Sequence, residues 1–186
     1  MIVEIAETVL TYDAGLLQAW RNGDKSIAEG LIQITPNYLN QPSYGFGEAF
    51  TLRHFYETEG WSGFASYALG PQYPGSRRRQ TGRKKVEQVI PAERLAKLRT
   101  LRSRPSQLLQ GGGEPDLFLY RDDGSFGFVE VKKEKDRLSE PQLTCIAQVL
   151  AVLGCDVRIV YLRSRGHSYH AKSYCFDLVR LQGSAR

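Results

Sequence analysis

The chain has 186 residues, 41% hydrophobic and 24% charged, the mixture of a folded domain rather than a disordered or fibrous chain. Its net charge of +5 is modest, and this length suits one domain, or one domain with a small extension. Long uncharged stretches such as Leu31–Gly47 and Pro141–Cys155 are broken by Pro, Gln and Gly, and the opening MIVEIAETVLTYD lacks a basic start followed by an apolar run. Neither a membrane span nor a secretory leader is therefore expected.

Residues 1–43 carry apolar clusters at Ile2–Ile5, Val9–Leu10, Leu16–Trp20 and Ile27–Ile34. They predict one or two short helices and a loop around Pro36–Pro42, in an N-terminal extension without an assignable role. GEAFTLRHFYETEG then reads as an amphipathic helix: Glu48, Leu52, Phe55, Tyr56 and Glu59 recur at three- to four-residue spacing, and Gly60 stops it. A short extended piece and a turn follow.

Between Arg77 and Arg104 there are 11 Lys/Arg and 2 Asp/Glu, so the rest of the chain is net acidic. The segment divides into the cluster SRRRQTGRKK and a helical stretch with Leu95, Leu98 and Leu101. It reads either as a solvated loop and surface helix, or as the electrostatic footprint of a polyanion. On the second reading Arg77, Arg78, Arg79, Arg83, Lys84 and Lys85, with Lys133 further on, contact DNA phosphates. Gly111–Gly113 form a hinge.

From Pro115 the period changes. PDLFLYR and FGFVEVKK predict a hairpin around Asp123-Gly124. A helix follows, with Ser139 as N-cap, Pro141 in its first turn and Gly154 as C-cap. CDVRIVYLR is a third strand, RGHSYHAKSY a loop, and YCFDLVRL a last strand or short helix. Hairpin, helix and strand in this order predict an α/β fold, a mixed β-sheet flanked by helices.

Three cysteines, Cys145, Cys155 and Cys175, show no CxxC spacing, which argues against a disulfide framework or a zinc site. The expected location is a reducing cytoplasm, the protein's own or that of a cell into which it is delivered. His54, His167 and His170 lie in no metal-binding spacing. Trp61, Tyr67 and Tyr73 near the basic segment are expected in the core, with base stacking as the alternative.

The chemistry gathers on the hairpin. Residues two apart on a strand share a face, so Glu130 and Lys132 point the same way. If the hairpin sets Asp116 beside Glu130, two carboxylates and one ammonium converge. Carboxylates with a backbone carbonyl and water suit a hard cation such as Mg²⁺ or Mn²⁺. Such an ion activates water and neutralises charge at a phosphate, with Lys132 placed to assist.

The string GEPDLFLYRDDGSFGFVEVKKEKDRLSEPQ closely resembles the VRR-Nuc family of the PD-(D/E)xK nuclease superfamily. The matching positions are Gly113, Pro115, Asp116, Leu117, Phe128, Glu130, Val131, Lys132, Asp136, Leu138, Ser139 and Gln142. The resemblance implies a restriction-endonuclease-like core spanning 44–182, with 77–104 as a basic insert. It implies Asp116, Glu130, the Val131 carbonyl and Glu48 as metal ligands, Lys132 as the catalytic lysine and Gln142 as an active-site residue. The implied activity is metal-dependent hydrolysis of DNA, branched or non-specific duplex, directed by structure or backbone rather than base sequence. The implied settings are DNA repair, a mobile element or an antibacterial toxin, with a homodimer or an immunity protein as possible partners and no membrane. A non-catalytic DNA-binding module and an RNA-directed nuclease are the alternatives.

Overall fold

The computed structural model describes residues 1–31, 42–70, 77–103, 113–134 and 136–178. Most of the loop expected around Pro36–Pro42, Tyr73, most of the Gly111–Gly113 hinge and the side chains of Arg77 and Arg78 lie outside the described residues.

Six strands form one sheet, in the order β2 (Ser62–Phe64), β3 (Leu117–Tyr120), β4 (Phe126–Lys132), β5 (Asp156–Ser164), β1 (Ile2–Tyr12) and β6 (Ser173–Asp177). The β2–β3–β4 meander and the β1–β6 pair are antiparallel. The β4–β5 and β1–β5 pairs are parallel, so β4, β5 and β1 all end at one edge. The α/β class with a mixed sheet is as expected.

The N-terminal segment departs from expectation. Ile2–Tyr12 is not helical but an 11-residue strand between β5 and β6. The expected extension, residues 1–43, thus begins with an interior strand of the sheet. Among the described residues of that segment, only α1 (Ala14–Arg21), started by the Asp13 side chain accepting from Gly15 N–H, and a 3₁₀ turn at Ser26–Ala28 are helical.

Helices cover both faces. Helix α2 (Phe46–Glu59) lays Leu52 and Phe55 on Leu117, Leu119, Val129, Val131, Val160 and Leu162. On the other face, α5 (Glu140–Leu153) packs Ile146, Val149 and Leu153 against Phe118, Phe128 and Ile159. The basic segment joins this second layer as α3 (Arg77–Val89) and α4 (Ala92–Arg102). Val86, Ile90, Leu95 and Leu98 are fully in the core. A Cβ at Gly82 would sit 2.1 Å from the Ser66 carbonyl oxygen, so α3 packs backbone to backbone. The segment is therefore neither a solvated loop nor an appendage.

Candidate active site

Period-two alternation places Glu130 and Lys132 on the α5 face of β4, while Val129 and Val131 face α2. All four are buried because helices cover both faces. The β3–β4 register pairs Leu117 with Val129, so Asp116, one residue ahead, stands across from Glu130. Its carboxylate accepts from Val131 N–H at 2.8 Å.

The geometry ahead of Asp116 is fixed by close approach and by charge. Gly113 has φ +72°, and a Cβ there would lie 2.4 Å from the Pro141 carbonyl oxygen at the start of α5. Only glycine meets both conditions. Tyr67, buried, donates its hydroxyl to the Pro115 carbonyl at 2.6 Å. Glu114 accepts from Leu69 N–H at 2.9 Å and from the Arg79 guanidinium at 3.1 Å, with Arg102 at 3.8 Å.

Helix α5 supplies the fourth group. Ser139 and Gln142 form a capping box, in which Gln142 Oε1 accepts from the backbone N–H and the hydroxyl of Ser139 at 3.0 and 3.1 Å. The same oxygen accepts from Lys132 Nζ at 3.1 Å, and Gln142 Nε2 donates to Glu130 Oε1. Lys132 Nζ also stands 2.7 Å from Glu130 Oε1. One residue thus caps the helix, orients the lysine and holds the glutamate.

The electrostatics are those of a crowded, desolvated acidic pair. Burial raises Glu130 to about 8, and the neighbouring Asp116 charge adds to this, against Lys132. Asp116 rises to about 6, mainly through burial, with the Glu48 charge adding, against the Val131 N–H, Lys132 and Lys133. Glu48 therefore acts on Asp116 from the first turn of α2. That turn reaches the ends of β4 and β5 because a Cβ at Gly47 would meet Val131, Lys133 and Leu162.

Glu130 Oε2 is buried without a hydrogen-bond partner among the described residues. An orphaned carboxylate oxygen beside a second carboxylate fits a hard divalent cation, which would satisfy the lone pairs and relieve the repulsion. Asp116, Glu130 and the Val131 carbonyl are the candidate ligands, with water completing the set. Among the described residues no three His, Cys, Asp or Glu side chains gather into a closed ligand set. Glu48 thus stands within electrostatic range of Asp116 rather than in such a cage.

The expected phosphate contacts are largely committed elsewhere. Arg79 is bound to Glu114 and the Tyr67 carbonyl. Arg83 pairs with Glu87, as does Arg99 from α4, and Lys85 lies over the Tyr120 ring at 4.2 Å. Lys84 is exposed, and Lys133 is near Asp116 rather than with the row. Trp61 and Tyr67 are core residues. The roles of Tyr67 and Glu114 escaped the sequence reading. Glu114 left a signal, an acid inside the motif facing a run of cations, but Tyr67 left none.

A VRR-NUC domain model matches residues 75–164. No curated protein matches the sequence. Two crystal structures of paFAN1 match part of the chain. One, bound to 2-nucleotide 5′-flap DNA with a gap, shares 20% identity over 71% of this chain and 22% of that chain, with a TM-score of 0.41. The other, bound to 1-nucleotide 5′-flap DNA with a gap, shares 24% identity over 70% and 22%, with a TM-score of 0.37. The chain spans about a fifth of the length of these relatives.

Proposed function

We propose, from the match of a VRR-NUC domain model to residues 75–164, that this protein is a metal-dependent nuclease hydrolysing the DNA backbone. The observation that carries the reading is the buried Asp116–Glu130 pair, tied to Lys132 and Gln142 and leaving Glu130 Oε2 unsatisfied. Such a pair is costly to a fold and useful to chemistry.

Asp116, Glu130 and the Val131 carbonyl hold Mg²⁺ or Mn²⁺, with Glu48 adding negative charge. When bound, the ion supplies Lewis-acid polarisation of a phosphate oxygen and a more acidic water. Lys132 has three N–H donors; Glu130 and Gln142 engage two, and the third is directed to an incoming phosphate oxygen or attacking water. Gln142 keeps the lysine and Glu130 in register, so no side chain has to reorganise at the chemical step. The capping box places that amide on a helix end rather than a loop. Recognition through the backbone positions DNA without reading its bases.

The test is cleavage of plasmid, branched DNA and RNA by the full chain. With Mg²⁺ or Mn²⁺ the DNA substrates are expected to be cut, and excess chelator to stop the reaction. Asp116→Asn, Glu130→Gln and Lys132→Ala should each abolish turnover while retaining DNA binding. Cleavage persisting in chelator would refute the metal-assisted mechanism. Binding without cleavage by the unmodified chain would point to a DNA-binding module, and cleavage of RNA alone to an RNA-directed nuclease.

A further inference from the structure

The loop between β5 and β6 carries Arg165, His167, His170 and Lys172, all exposed. Asp13 lies 4.0 Å from Arg165, but with side-chain exposures of 62% and 80% that pair has little hold on the guanidinium. Lys172 Nζ lies 5.9 Å from the centroid of the Tyr169 ring, within its own loop. Arg165 and Lys172 contrast with the described cations of α3 and α4, most of which bind acids or carbonyls of their own fold.

The loop is braced. Glu7 lies in the middle of β1 and is buried. Its carboxylate accepts from the Tyr169 hydroxyl at 2.7 Å, Lys172 N–H at 2.9 Å and the Tyr174 hydroxyl at 3.0 Å. Glu7 N–H donates to the Lys172 carbonyl and Arg165 N–H to the Tyr12 carbonyl. Arg163 donates to the His167 carbonyl and to Thr11 Oγ1. The Tyr169 ring lies flat on Tyr161, centroids 3.4 Å apart. A sheet needs no buried carboxylate at position 7, where an apolar side chain would pack without desolvation cost. What Glu7 does is fix the path of this loop.

The path ends beside the active site. Tyr161 is the β5 register partner of Lys132, on the same face and one interstrand spacing, about 4.8 Å, away. Parallel strands β4, β5 and β1 finish at this edge, where open α/β sheets bind ligands.

We propose that the 165–172 loop is a second DNA-backbone contact, with Arg165 and Lys172 gripping phosphates of the strand on the β1–β6 side of the cleavage site. Tyr169 braces the loop, one ring face being taken by Tyr161. The proposal rests on the nuclease reading, since it names where that site's substrate continues.

The experiment measures binding of a fluorescein-labelled duplex by the full chain, in chelator, across a range of salt concentrations. The Arg165→Ala/Lys172→Ala pair should weaken binding and reduce the salt slope by up to about 0.9 per lost contact. The conservative pair Arg165→Lys/Lys172→Arg should keep the slope, and both should unfold at the wild-type temperature. Turnover at saturating DNA should not change, because no group of the Lys132 cluster is altered. A wild-type slope in the alanine pair overturns the proposal and leaves the nuclease reading intact. Failure of the unmodified chain to bind or cut DNA overturns both.

Discussion

At the scale of single residues, Glu130 shows how the site trades stability for chemistry. Its folded-state pKa of about 8 lies above the ordinary 4.5. A raised carboxyl pKa gives stability that is complete below the unfolded value and is lost as pH rises through the folded one. The metal-free protein should therefore weaken between about pH 4.5 and pH 8. Glu130→Gln keeps the acceptor for Lys132 and Gln142 but removes the charge opposing Asp116. We expect it to unfold at a higher temperature than wild type at pH 8 in chelator, by roughly 2–4 °C for each kcal/mol recovered, and to show no difference at pH 4. A variant no more stable than wild type at pH 8 would mean that neither burial nor Asp116 penalises the Glu130 charge in the folded state. The alternation that aims Glu130 and Lys132 at one face was legible in the sequence. The Gln142 bridge was legible only as a resemblance, because joining a helix cap to a strand residue takes tertiary contact.

At the scale of elements, the basic segment shows why charge counting misleads. Eleven Lys/Arg between residues 77 and 104 look like a phosphate-binding row. Residues 77–89 and 92–102, however, form two helices whose apolar residues enter the core, and Arg79, Arg94 and Arg99 hold Glu114, Glu87 and backbone carbonyls. Leu98, with 0% exposure, should cost about 2–5 kcal/mol when cut to alanine, the range for a buried leucine. Denaturant unfolding reads this directly, and a loss under 1 kcal/mol would return α4 to the surface. Arg79→Gln should lower thermal stability and cleavage together, through Glu114 and the Pro115–Asp116 backbone, with the salt slope of binding unchanged. A shallower slope at wild-type stability would restore Arg79 as a phosphate contact.

At the scale of the whole molecule, the sheet is completed by the beginning of the chain. Strand β1 makes six register pairs with β5 and five with β6, and it carries Glu7 under the 165–172 loop. Removing residues 1–12 would bare β5 as an edge and cut β6 from the sheet. We expect the shortened chain to lose cooperative unfolding and cleavage together. A folded, active chain starting at residue 44 would instead make the N-terminal segment the extension that its sequence suggested.

What the sequence alone determined is what neighbours in the chain decide. The hairpin at Asp123-Gly124, the shared face of Glu130 and Lys132, and α5 between Ser139 and Gly154 all follow from turn chemistry, period and caps. What only the tertiary structure decided depends on distant partners. Ile2–Tyr12 is a strand because β5 and β6, some 150 residues later, supply hydrogen bonds on both sides. Its mixed pattern of small, acidic and apolar residues fits a short helix as well until those strands are present. Arg79, Arg94 and Arg99 became supports rather than surface cations because Glu114, Glu87 and the carbonyls of Leu69 and Leu153 reach them only in the folded chain. Periodicity shows which side of an element is apolar; only packing shows what the polar side will meet.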